Sequence, residues 1–252
     1  MFVTYSWLLE HLDDQNTVII DTRPKISYSY GHIPNSISLT VEQIIEISST
    51  GAHFAPNPEK ASLQLGELGI DNEQIVVVCG DLMDPSVFRV AWTLQYLGQK
   101  NTKILNLSIG SWHGMGLNMT RVQKNSPITK FIPNVQNSIR IESEELFQLI
   151  DDLIILDART PQEYFAGHIP RSILFPFTDG IGQDGMLLET KESLENLFVQ
   201  KQIPRNKPLV CYCMHGHRAS SLYFQAKMAG FENVRLYDGS FLDWYSKKLP
   251  LE

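Results

Sequence analysis

Apolar residues along this chain fall in short runs separated by turn-forming residues, and the same series of runs occurs twice. Val18–Ile20 and Leu153–Leu156 are continuous apolar stretches of the kind that form strands buried on both faces. Each leads into a helix-like segment, a Gly-His-Ile-Pro turn and a second short apolar piece. Further on, IVVVC (75–79) and PLVCY (208–212) predict a second strand, and each is followed by a loop and a helical pattern that stops at a glycine, over 85–98 and 218–230. A last short strand, KILNL (103–107) or NVRLY (233–237), leads to a Gly-Ser pair near Trp112 or Trp244. Strands alternating with helices predict an α/β fold with a mostly parallel central sheet flanked by helices.

The repetition is sequential as well as architectural. VIIDTRPKISYSYGHIPNSISL (18–39) and IILDARTPQEYFAGHIPRSILF (154–175) align without gaps and share ten of 22 positions, including Asp21/Asp157, Arg23/Arg159 and Tyr28/Tyr164. A spacing of 136 residues is too long for a stacked solenoid repeat, so each copy belongs to its own domain. The expected organisation is an N-terminal domain over 1–120, a linker over 121–138 that is polar and contains two prolines, and a C-terminal domain over 139–252.

Composition narrows the partners. The formal net charge is -7 over 252 residues, so no basic field exists to hold nucleic acid or an anionic membrane. No apolar stretch approaches the ~20 residues of a spanning helix, and the N-terminal residues lack the pattern of a signal peptide. A cytoplasmic protein with neither membrane nor nucleic-acid partner is expected. The three cysteines, Cys79, Cys211 and Cys213, are too few for a disulfide framework.

The candidate chemistry lies in VCYCMHGHRAS, the exit of the second strand in the second copy. Ligands of open parallel sheets sit beyond the C-terminal strand ends, and a loop that curls there before a helix turns backbone N–H groups inward. Such a field favours a thiolate, which makes Cys213 the candidate nucleophile. Met214, His215, Gly216, His217 and Arg218 form the loop around it.

Asp-x-Arg, then Gly-His-Ile-Pro, then an apolar strand with Cys, four residues and Arg at a helix start, all duplicated, resembles the two-domain rhodanese family of sulfurtransferases from about Thr4 to Tyr245. The resemblance implies two tandem rhodanese-like domains and no cofactor. It also implies transfer of a sulfane sulfur through a persulfide on Cys213, with Met214 to Arg218 as the substrate loop and Arg159 near the pocket. The expected partners are a small anionic donor, thiosulfate or 3-mercaptopyruvate, and a thiol, cyanide or protein sulfur acceptor. The loop CMHGHR matches neither Cys-Gly-Ser-Gly-Val-Thr nor Cys-Arg-Lys-Gly-Val-Thr, the forms typical of mercaptopyruvate and thiosulfate enzymes. Two imidazoles and a guanidinium favour thiosulfate on charge. In the first copy, anchoring Cys79 on Cys211 sets Asp81 opposite Cys213 and predicts an inert domain that is structural.

Rival readings attach to the same residues. A phosphatase or arsenate reductase of this fold has a loop one residue longer, with His where Tyr212 stands. A non-enzymatic interaction module would leave the loop vestigial. Cys211, Cys213, His215 and His217 all ligate zinc, but four ligands within seven consecutive residues close a tetrahedron poorly, and no metal is expected. Cys211 is read as core rather than as a resolving thiol. His32 and His168 occur in both copies and are read as structural, the Asp-x-Arg pairs as ion pairs, Glu163 as a helix-surface residue, and Arg171 as facing either pocket or solvent.

Overall fold

The computed structural model describes all residues from 1 to 252. In the first half the elements run β1 (Phe2–Val3), α1 (Tyr5–Glu10), β2 (Thr17–Asp21), α2 (Lys25–Tyr30), β3 (Ser36–Ser38), a hairpin of β4 (Glu46–Ile47) and β5 (His53–Phe54), α3 (Pro58–Glu67), β6 (Ile75–Cys79), α4 (Ser86–Tyr96), β7 (Thr102–Leu105) and α5 (Ile109–Gly114). The second half contains α6 (Ser143–Gln148), β8 (Ile154–Asp157), α7 (Pro161–Phe165), β9 (Ile173–Leu174), α8 (Lys191–Gln200), β10 (Leu209–Tyr212), α9 (His217–Met228), β11 (Val234–Leu236) and α10 (Ser240–Ser246). No helix is long and apolar enough to cross a membrane.

Each half builds a parallel sheet. The first has the order β1-β7-β6-β2-β3 and the second β11-β10-β8-β9. The apolar runs read from the sequence are central strands: every residue of β2, β8 and β10 is buried, as expected where helices cover both faces of a sheet. The core of the first unit gathers Ile19, Val77, Leu105 and Trp112, and that of the second gathers Ile155, Val210, Tyr237 and Trp244.

Two compact units result, and their boundaries depart from a simple division at the linker. The first comprises 1–45, 55–136 and 182–187, and the second 46–54, 137–181 and 188–252. Of the expected linker 121–138, residues 121–136 belong to the first unit: Thr129 N–H donates to Gly66 O at 3.0 Å and Asn134 N–H to Leu97 O at 2.8 Å. Gly185 accepts from Ser108 N–H at 2.8 Å. The β4/β5 hairpin, which lies in the first copy's sequence, folds with the second unit. Its Phe54 ring packs so closely on Gly239 that a Cβ there would lie 2.6 Å from Cε1 and 3.1 Å from Cζ.

The repeats superpose down to side-chain contacts. Arg23 grips Asp21 with Nη2–Oδ2 at 2.7 Å and donates to Gly31 O at 2.7 Å; Arg159 grips Asp157 at 2.7 Å and donates to Gly167 O at 2.9 Å. Tyr28 and Tyr164 each donate to the carbonyl of Ser36 or Ser172 at 2.7 Å. His32 and His168 each stack on those tyrosines at 3.8 Å and bond to their carbonyls. Contacts present in both copies stabilise the turn after the strand, whatever chemistry either copy performs. Asn35 and Arg171, matched positions, share a left-handed φ of 63°. The Arg171 side chain is exposed and paired with Asp151 at 2.6 Å, so it belongs to the surface.

The close Gly239–Phe54 approach yields a prediction. Gly239→Ala forces the hairpin off its seat and should destabilise the second unit by about 1–3 kcal/mol, the usual cost of overpacking. Adding Phe54→Ala should recover part of that loss. Urea unfolding followed by tryptophan fluorescence reports both, and an unchanged midpoint in Gly239→Ala would show that the hairpin is not docked there.

Candidate active site

The site begins where β10 ends. Its ladder pairs Tyr212 with Asp157 of β8, and the Tyr212 hydroxyl donates to Asp157 Oδ2 at 2.5 Å and bonds to Ser172 Oγ at 3.0 Å. Burial and the Asp157 carboxylate both push the Tyr212 phenol upward, so it stays protonated and holds the strand exit rigid. Cys213 follows. It is 1% exposed, whereas Met214, His215, His217 and Arg218 are half-buried, so the thiol lies beneath a more open rim.

Gly216 turns the loop. Its φ of 85° lies in the left-handed region that glycine enters without a Cβ penalty, and it precedes α9. In that conformation its N–H points back and donates to Cys213 Sγ at 3.1 Å. An inward amide at the start of a twelve-residue helix places positive potential on the sulfur. The Cys213 backbone is held from outside the loop: its N–H donates to Ser240 Oγ at 3.1 Å, and its carbonyl accepts from Phe241 N–H at 2.9 Å. The Met214 carbonyl accepts from Leu242 N–H at 3.3 Å.

The loop's charged groups are less free than their sequence suggests. Arg218 makes a two-pronged ion pair with Glu163 of α7, Nη1–Oε2 at 2.6 Å and Nη2–Oε1 at 2.7 Å. Glu163 is therefore not simply a helix-surface residue. It also completes the Thr160 capping box at the start of α7, and Arg218 holds its carboxyl down at about 2. Burial, followed by the neighbouring Arg218 charge, lowers the His215 imidazole and favours its neutral form. His217 Nε2 lies 3.0 Å from His53 Nδ1 on the hairpin, and the His53 ring also lies 4.9 Å from that of His215. One nitrogen of the His53–His217 pair must donate and the other accept, so the bond excludes the doubly protonated pair.

Arg159, expected near the pocket, spends Nε and Nη2 on Asp157 and Gly167 and lies 4.0 Å over the Phe241 ring. Its side chain is 1% exposed. The ion-pair reading is the one its geometry shows, and Arg159 reaches Cys213 through Phe241, whose N–H holds the Cys213 carbonyl, and through the Tyr212 ring, 5.6 Å away. Cys211 is buried inside β10, and desolvation raises its thiol well above the ordinary range. No three His, Cys, Asp or Glu side chains converge in an arrangement able to hold a metal ion. Arg89, Trp92 and Trp112 are buried in the first unit, with Arg89 5.2 Å over the Trp92 ring and Trp112 in the core.

The ladders also correct the internal alignment. Asp21 pairs with Cys79, whereas Asp157 pairs with Tyr212. Thr22 N–H bonds to Cys79 O just as Ala158 N–H bonds to Tyr212 O, and Ile109 N–H bonds to Gly80 O just as Phe241 N–H bonds to Cys213 O. Gly80, not Asp81, thus occupies the place of Cys213. The identical Cys79 and Cys211 misled the comparison because the compensating residue lies in the loop, which is one residue longer in the first copy. A side chain at Gly80 would meet Val87 Cγ2 at 2.5 Å and Thr22 Oγ1 at 2.6 Å, so that position has no room for a thiol.

The Glu163–Arg218 pair makes stability in acid predictable. Because the folded carboxyl sits at about 2 against an ordinary 4.5, the pair contributes fully above pH 4.5 and is lost as pH falls toward 2. Glu163→Gln should lower the urea midpoint near neutrality, and the gap from wild type should close across that window. A gap independent of pH would contradict this assignment.

With this geometry established, known proteins provide the context. The Rhodanese-like domain family matches residues 4–115 and again 142–247. Over its full length the chain is 26% identical to the 3-mercaptopyruvate sulfurtransferase of Escherichia coli, covering 97% of that protein. It is 26% identical to the sulfur carrier protein TtuD of Thermus thermophilus, with 97% of this chain and 93% of that one aligned. The crystal structure of SseA, a 3-mercaptopyruvate sulfurtransferase from Escherichia coli, superposes with a TM-score of 0.84 at 27% identity, covering 95% of this chain and 98% of that one. Two matched domains, with a cysteine-bearing loop after the second sheet's central strand, make this chain a tandem member of the rhodanese family.

Proposed function

We propose that the protein is a sulfurtransferase that carries a sulfane sulfur as a persulfide on Cys213. The observation that carries this reading is the Gly216 N–H held 3.1 Å from Cys213 Sγ. An amide aimed at sulfur stabilises the thiolate before transfer and a sulfur anion after it. A loop this short suits a single added sulfur atom better than a phosphoryl group with three oxygens. The first unit, with Gly80 at the matched position, has no nucleophile there and serves as scaffold. Three free thiols suit a reducing, cytoplasmic setting.

The choice of donor follows from charge. Judged by loop composition, two imidazoles and a guanidinium favour the thiosulfate dianion. In the folded site Glu163 neutralises Arg218, burial favours neutral His215, and the His53–His217 bond limits that pair to one positive charge. We therefore favour a singly charged donor of the 3-mercaptopyruvate class, as in the named relatives. The Cys213 thiolate attacks the donor sulfur, the Sγ–S bond forms as the S–C bond breaks, and the electron pair leaves on carbon as pyruvate enolate, which takes a proton. An acceptor thiolate or cyanide then attacks the outer sulfur, and the electron pair of the breaking S–S bond returns to Sγ.

Intact mass after incubation with 3-mercaptopyruvate should show a gain of about 32 Da that cyanide removes and that Cys213→Ser abolishes. Loading by thiosulfate should be slower. No gain with either donor, or an undiminished gain in Cys213→Ser, would overturn the persulfide reading and leave an interaction module. Faster loading by thiosulfate would overturn only the donor assignment.

A further inference from the structure

Ser240 is a buried residue at the first position of α10, with a φ of 57°. Non-glycine residues are uncommon in that left-handed region, and such strain persists where surrounding contacts demand it. Its Oγ accepts the Cys213 N–H at 3.1 Å and donates to the Tyr237 carbonyl at 2.8 Å. The next residue, Phe241, holds the Cys213 carbonyl at 2.9 Å. Consecutive residues of one turn thus grip the peptide groups on both sides of the Cys213 Cα.

The first copy supplies the contrast. Ser108 stands four residues before Trp112, as Ser240 stands four before Trp244. Ser108 has an ordinary φ of -67° and caps its own helix, its Oγ accepting Ser111 N–H at 3.1 Å. In the second copy the N-cap of α10 is Gly239, which supplies no side-chain cap. The same residue type has given up both a relaxed backbone and a helix cap, and what it gains is the contact with Cys213. A local arrangement that works against stability, beside the one reactive thiol, marks a functional constraint.

We propose that Ser240 is a positioning residue for Cys213: by taking the cysteine's own amide it fixes the peptide so that Sγ rests on the Gly216 N–H. The inference relies on Cys213 being the nucleophile, but not on the identity of the donor. Without the Oγ acceptor the Tyr212–Cys213 peptide is held only by its carbonyl, on Ala158 N–H at 2.8 Å; it can tilt about that bond, Sγ leaves the Gly216 amide, and the thiolate loses its partner. The side chain touches no substrate and acts only through the geometry of Cys213.

The test compares wild type, Ser240→Ala and Ser240→Gly, reading iodoacetamide alkylation of the Cys213 peptide by mass spectrometry across pH. At neutral pH both variants should react roughly three- to tenfold more slowly, with rates converging on wild type in alkali, the mark of a smaller thiolate population. The glycine variant, free of the φ strain, should melt at a higher temperature than the alanine variant, and it preserves the test should the alanine variant fail to fold. Alkylation curves that superpose on wild type, or that fall by one factor at every pH, would overturn the proposal. A shifted curve in a protein that loads no sulfur from any donor would leave Ser240's role standing and sink the transfer reading instead.

Discussion

The candidate site depends on one backbone hydrogen bond, from the Gly216 amide to the Cys213 sulfur, and on the left-handed turn that aims it. The turn favours glycine, because a Cβ at that φ costs about 1–2 kcal/mol. Around this bond the protein arranges two restraints. Tyr212, pinned between Asp157 and Ser172, fixes the strand that delivers Cys213, and the turn at Ser240 and Phe241 fixes the peptide groups on either side of it.

Duplication separates scaffold from chemistry. The Asp-Arg clasp, the tyrosine that reaches the serine carbonyl and the stacked histidine are the same in both copies, so they stabilise the strand and turn of each unit. What differs is local to the second strand exit: Cys213 against Gly80, a glycine against Pro85 before the helix, and a serine bonded to the cysteine amide against one that caps its helix. A parallel sheet offers the same position beyond its strand ends in each unit, and only one unit places a thiol there. The other has no space for one, since Gly80 is closed in by Val87 and Thr22.

Much of this was legible in the sequence, for identifiable reasons. The buried strands appear as apolar runs because parallel sheets are covered on both faces, and the repeat is visible because turn contacts require the same Asp, Arg, Tyr and Gly-His-Ile-Pro residues. Cys213 stands out because thiols rarely occur in loops crowded with His and Arg. The contacts left hidden are long-range. His53 meets His217 across 164 residues of sequence, and Arg218 meets Glu163 across 55, and no local pattern encodes such pairs. One signal was available: opposite Glu163 the first copy carries Ser27, so the acidic partner is missing in the copy that also lacks the loop cysteine. The register slip that set Asp81 against Cys213 arose from trusting two identical cysteines, whereas hydrogen-bonded ladders decide which residues correspond.

The central claim is that the Gly216 amide answers to the charge on the Cys213 sulfur, and amide NMR reads this directly. In a pH titration the Gly216 proton and nitrogen shifts should move with the thiolate absorbance of Cys213, with one common midpoint, and should move again when sulfur is loaded. A Gly216 resonance that stays fixed while the thiol ionises would mean that its hydrogen bond does not respond to the sulfur anion, and the account of this site would be wrong.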